Sequence, residues 1–94
     1  MTLVNDEQEA LNEYLEALRV NREVEFVYDG VGYRFEPNYE KGGYDVWKYL
    51  EGFKTGGGAV VASGVAADEL LEMKYFNGKS FAEIENDATN KLIL

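Results

Sequence analysis

The chain contains neither cysteine nor histidine. Without cysteine there is no disulfide framework, no thiol nucleophile and no zinc site of the cysteine type. Without histidine the chain lacks the side chain that most often acts as general acid or base near neutral pH, and the commonest metal ligand. Catalysis would have to rest on carboxylates, tyrosines or lysines with shifted pKa values, and no motif marks such a site. No enzymatic activity, cofactor or metal is therefore expected. No apolar run approaches the roughly 18 residues a membrane helix needs, and no basic segment followed by an apolar core opens the chain. A cytoplasmic protein without membrane contact is the expectation. Basic residues are scarce as well: nine Lys and Arg stand against 18 Asp and Glu, a net charge of −9.

What is present argues for a folded domain. Apolar residues make up 46% of the chain and aromatics 14%, too rich for a disordered acidic segment. Ninety-four residues suit one domain with a modest core, residues 1–94 forming a single α+β unit.

The sharpest pattern is REVEFVYDGVGYRFEP, residues 22–37. Asp-Gly favours a two-residue type I′ turn, because glycine takes positive φ freely and Asp tolerates it. With Asp29 and Gly30 at the tip, Tyr28 faces Val31, Phe26 faces Tyr33 and Val24 faces Phe35 on one surface. Glu25 and Arg34 pair on the other, with Glu23 and Glu36 beyond, because strand side chains alternate. The alternative is a longer loop closing at Gly32.

Residues 5–20 read as a helix. Asn5 is placed to cap it, Gln8 stands in capping-box spacing, and Asp6 and Glu7 suit the positive end of the helix dipole. Leu11, Tyr14, Leu15 and Leu18 form an apolar stripe expected to lie on the hairpin's apolar face. Asn21 is the expected stop. After a loop over PNYEKGG, GYDVWKYLEG reads as a third strand, with Trp47 and Tyr49 on one face and Tyr44 and Val46 on the other. KTGGGAVVASG is a flexible loop or leads into a short strand at residues 59–62, the latter being favoured. Helical spacing returns with Ala66, Leu70 and Met73, followed by an Asn77-Gly78 turn. Ser80 to Glu83 is a capping box that opens a second short helix, with Phe81, Ile84 and Ala88 facing inward. The tail NKLIL packs as an end strand or frays. The expected fold is thus an N-terminal helix, a three- to four-stranded antiparallel sheet and two short C-terminal helices, all helices on one sheet face.

Several chemistries are excluded by pattern. GVGYRF opens like a dinucleotide fingerprint, but Phe35 stands where the third glycine is needed and the context is a hairpin. TGGGAVVASG lacks the GKS/T ending of a P-loop and has no basic partner beyond Lys54. The carboxylates at Asp68, Glu69 and Glu72, and at Glu83, Glu85 and Asp87, do not match an EF-hand. An aromatic platform for single-stranded nucleic acid conflicts with the negative charge, so no direct nucleic-acid contact is expected.

The acidity is the remaining lead. Residues 1–18 hold five acids and no base, and residues 66–88 hold six acids against Lys74 and Lys79. The bland interpretation is a pair of solvated helix faces. The sharper one is that Glu9, Glu13 and Glu16 on one surface, and Asp68, Glu69, Glu72, Glu83, Glu85 and Asp87 on the other, bind a protein by imitating a phosphate backbone. The partner would be a basic nucleic-acid-binding enzyme, reached by steered, salt-sensitive association. The competing expectation is a small regulatory or structural protein, an antitoxin-like neutraliser or a homodimer built on the apolar surface around Trp47 and Tyr49.

The segments REVEFVYDGVGYRF and ADELLEMKYFNGKSFAEI, with a tyrosine-rich strand between them, resemble small acidic proteins of Gram-positive bacteria and their phages and mobile elements. The shared features are scaffold features, and the group lends no catalytic residue. More loosely, the order helix, three-stranded antiparallel sheet and two helices, with strong acidity, is similar to small type II anti-CRISPR inhibitors that block the DNA-facing cleft of Cas9. That similarity implies an inhibitory protein-binding role. The glycines at 56–58 depart from the pattern.

Overall fold

A computed structural model describes the backbone of residues 6–50 and 57–94, and the side chains from residue 9 onward within those limits. The elements follow in the order α1 (Asp6–Arg19), β1 (Val24–Tyr28), β2 (Val31–Pro37), β3 (Tyr44–Tyr49), β4 (Ala59–Val65), α2 (Ala67–Leu70), α3 (Phe81–Ile84) and β5 (Thr89–Ile93). The five strands form one antiparallel sheet in the order β4-β3-β2-β1-β5. The α+β class is as expected, but the sheet has a fifth strand. The tail does not fray: Leu92 pairs with Glu25 and Ile93 with Val24, and the Leu94 N–H donates to the Glu23 carbonyl at 2.8 Å.

The hairpin forms in the expected register, with Val24, Glu25, Phe26 and Tyr28 opposite Phe35, Arg34, Tyr33 and Val31. Its tip has positive φ at both Asp29 (52°) and Gly30 (77°), the signature of a type I′ turn and not of a longer loop. Asn77 (54°) and Gly78 (80°) repeat the device, and Phe76 and Lys79 exchange backbone hydrogen bonds at 3.0 Å across it.

Asn21 stops α1 in the left-handed region at φ 62°. The Asn21 N–H donates to the Leu18 carbonyl and the Arg22 N–H to the Ala17 carbonyl, at 3.2 and 3.0 Å, which is a Schellman closure. The expected cap at Asn5 lies outside the described residues, and so do the side chains of Asp6, Glu7 and Gln8. The same holds for Lys54 and the chain from 51 to 56. Within KTGGGAVVASG the favoured strand is present and longer than expected, running Ala59–Val65.

The core lies between one sheet face and the helices. Val24, Phe26, Tyr33, Phe35, Tyr44 and Val46 turn inward to meet Tyr14, Leu18, Leu70, Phe76, Phe81 and Ile84. The hairpin's apolar face is covered differently from expectation. Among the described rings, those that reach Phe26 from outside the hairpin are Phe76 and Phe81, at centroid distances of 5.5 and 4.8 Å. Tyr14 of α1 then meets Phe81 edge-on at 5.1 Å. Helix α1 thus joins an aromatic core that the C-terminal third has largely built.

α2 is shorter than the apolar spacing implies, spanning Ala67–Leu70, with Ala66 as its N-cap. Leu70 and Leu71 are both buried, and the turn closes with the Glu72 and Met73 N–H groups donating to the Glu69 carbonyl at 3.1 and 3.0 Å. α3 has its capping box: the Glu83 N–H donates to Ser80 Oγ at 3.2 Å and the Ser80 N–H to Glu83 Oε1 at 2.9 Å. Phe81, Ile84 and Ala88 are buried, as their spacing requires.

Candidate protein-binding surface

The 3.6-residue period that turns Tyr14 and Leu18 into the core turns Glu9, Glu13 and Glu16 away from it, and all three are exposed. Glu13 and Glu16 line a groove completed by Ala17, Val20, Arg22 and Ile93, between the end of α1 and β5. On the other flank of α1, Asp68 and Glu72 line a second groove with Leu11, Asn12, Leu15, Leu71 and Ala82. The acidic residues therefore border both flanks of one helix.

Asp68 is held by Arg19, whose Nε and Nη2 donate to its two carboxylate oxygens at 2.9 and 3.2 Å. These hydrogen bonds hold the Asp68 carboxyl below its ordinary pKa and raise that of Arg19. Both side chains are exposed, so the pair orients more than it stabilises. Glu69 and Glu72 are exposed beside it.

The second acidic group divides once folded. Glu83 serves as the α3 capping carboxylate, with Lys74 Nζ 3.6 Å away, and its pKa is lowered mainly by the hydrogen bonds to Ser80 and then by the Lys74 charge. Glu85 is withdrawn, only 6% exposed. Lys91 Nζ reaches its carboxylate at 2.8 Å and its backbone carbonyl at 3.1 Å. Asp87 remains exposed. Spacing alone could not separate Glu85 from Asp87, because the partner that draws Glu85 inward lies on β5. The lone base of NKLIL was the available signal.

Two clusters of the sheet were only partly foreseen. Arg34 Nε donates to Glu25 Oε2 at 2.7 Å, as the cross-strand pairing predicts, and Arg34 also lies 5.5 Å from the centre of the Tyr49 ring. Tyr49 stacks with Trp47 at 6.2 Å and 21°. Trp47 Nε1 is buried without a hydrogen-bond partner among the described residues. Asp45 accepts from Ser63 Oγ at 2.7 Å and from Asn38 Nδ2 at 3.2 Å, which lowers its pKa, Ser63 contributing most. This joins the β2–β3 loop to β4. Nearby, the backbones of Gly43 and Gly64 approach so closely that a Cβ on Gly43 would stand 2.8 Å from the Gly64 carbonyl carbon.

Among the described residues no three carboxylates converge as a metal site would require, and no helix is long and apolar enough to cross a membrane. No protein-family model matches the chain, and neither curated proteins nor solved structures include a significant match.

Proposed function

We propose that this protein is a non-enzymatic binding module that offers the acidic outer surface of its helical layer to a basic partner, of the kind that otherwise holds nucleic acid. The observation that carries this reading is an imbalance of pairing. Arg19, Arg34, Lys74 and Lys91 are each engaged by a carboxylate. Glu9, Glu13, Glu16, Glu69, Glu72 and Asp87 are exposed and make no ion pair among the described residues. Neutralising bases would have been the simple means of quieting these surfaces, and the four that form ion pairs hold Asp68, Glu25, Glu83 and Glu85 instead. Carboxylates spaced along a helix focus a negative potential, which speeds encounter with a basic cleft and makes the association depend on salt. A nucleic-acid enzyme of a host or a competing element, attracted as it would be to phosphate, is the partner class.

The test is a tagged pull-down from host lysate eluted in salt steps, repeated with Glu9, Glu13 and Glu16 changed to Lys, and separately with Glu69, Glu72 and Asp87 changed. One basic nucleic-acid-binding protein, released at moderate salt and lost on reversal of a row in a domain that still melts cooperatively, is expected. Retention through reversal of both rows rules the reading out.

A second reading rests on a different observation. In the register of the sheet, Leu92, Glu25, Arg34, Trp47 and Val60 stand in one line across the face opposite the helices. Leu92 and Val60 are 52% and 45% exposed at its ends. A homo-oligomer formed through this face would place the protein in a regulatory or structural role, and a salt-resistant dimer in sedimentation would favour it.

A further inference from the structure

We propose that the groove between the end of α1 and β5 receives an aliphatic side chain from the basic partner, while lysine or arginine residues flanking that side chain meet Glu13 and Glu16. This rests on the binding role proposed above and adds how the partner is held. The groove has a volume of about 460 Å³, against about 180 Å³ for the one on the other flank of α1, and is large enough for a branched side chain.

Its chemistry is two-sided. Ala17, Val20 and Ile93 give it an apolar lining, and Val20 is 66% exposed, a large aliphatic left uncovered by the described structure. The Schellman closure at Asn21 fixes that exposure, because the helix ends at Arg19, one residue before Val20, and the chain is then carried away into β1. The polar lining is Glu13, Glu16 and Arg22, two negative charges against one positive. Neither glutamate is in an ion pair among the described residues. In the opposite groove, by contrast, Asp68 is already neutralised by Arg19. A purely ionic ligand would leave Val20 and Ile93 unused, and a purely apolar one would meet the two carboxylates. A segment with one aliphatic residue between basic ones satisfies both, in the way that a central apolar anchor within a charged rim organises protein interfaces.

The experiment uses the ¹⁵N-labelled protein and a capped peptide, Lys-Lys-Leu-Lys-Lys, together with the same peptide carrying Asn in place of Leu. The groove predicts saturable amide shifts at Ala17, Val20 and Ile93, with binding at least about tenfold weaker for the Asn peptide, the scale set by burying one leucine side chain. Val20→Lys, at an exposed position, is expected to abolish these shifts while leaving the melting temperature within about 2 °C. If both peptides shift the amides around Glu13 and Glu16 equally, and both effects vanish together as salt rises, the attraction is diffuse. That outcome overturns the groove and leaves the acidic-surface reading standing. If no amide of α1 responds to either peptide, the groove falls together with the Glu9, Glu13 and Glu16 row of the acidic-surface reading.

Discussion

Tyr44 shows how much one side chain settles. Its hydroxyl donates to the carbonyls of Leu18 and Arg22, at 2.6 and 3.0 Å. It thereby ties strand β3 to the C-terminal end of α1, where helix carbonyls lose their partners within the helix. Tyr44→Phe removes the hydroxyl from both carbonyls, of which Leu18 keeps the Asn21 N–H, and is expected to cost about 0.5–1.5 kcal/mol in urea unfolding. Burial first, and the nearby Tyr39 second, push the Tyr44 phenol up to about 12. The folded state therefore holds this proton more tightly than the unfolded chain, where tyrosine titrates near about 10. The corresponding stability is fully present below the unfolded value and is lost as pH rises through the folded one. Tyr14 and Tyr33 are raised in the same direction, also by burial. Unfolding experiments should show stability falling between about pH 10 and 12, and falling less steeply in Tyr44→Phe. An equal slope in both proteins would contradict this role.

At the scale of elements, the turns and caps were legible because their chemistry is local. Among the described residues every non-glycine position at positive φ is Asn or Asp, namely Asn21, Asp29, Asn77 and Asn90. These are the residues whose short polar side chains tolerate that region. The first three were placed from dipeptides and helix ends. Asn90 was not, because it lies at a β-bulge opposite β1 that exists only once β5 pairs there. What fixes β5 is also nonlocal: the Lys91 ammonium clasps Glu85 just past the end of α3. Lys91→Met leaves a buried carboxylate without its donor and should cost about 1.5–3 kcal/mol. Glu85→Leu combined with Lys91→Met should cost clearly less than the two single changes added together, since no charge is then stranded. Additive costs in the double-mutant cycle would mean that the pair is not coupled.

For the whole molecule, charge and core pull in opposite directions. The aromatic core holds together a chain of net charge −9 whose exposed carboxylates repel one another. Screening that repulsion should stabilise the fold, so the melting temperature is expected to rise by several degrees between about 10 mM and 1 M sodium chloride, as the Debye length shrinks from about 30 to 3 Å. A fall over the same range would mean that the exposed pairs such as Arg19–Asp68 outweigh the repulsion. On the binding role proposed above, the same salt would lower affinity for a basic partner. Stability and binding should therefore respond to ionic strength with opposite sign, which separates loss of binding from loss of fold.

The amino-acid sequence by itself determined the hairpin and its register, the stop of α1, the capping box of α3, the Asn77-Gly78 turn and the exposure of Glu9, Glu13 and Glu16. Each follows from a period or a dipeptide acting over a few residues. Only the tertiary structure decided that the tail becomes a fifth strand and that Phe76 and Phe81 cover Phe26. It alone withdrew Glu85 from the surface and matched Arg19 to Asp68. Apart from the Lys91–Glu85 pair, six residues apart but formed only once β5 docks, these contacts join residues far apart in the chain, and their energies come from burial and pairing that no local pattern encodes.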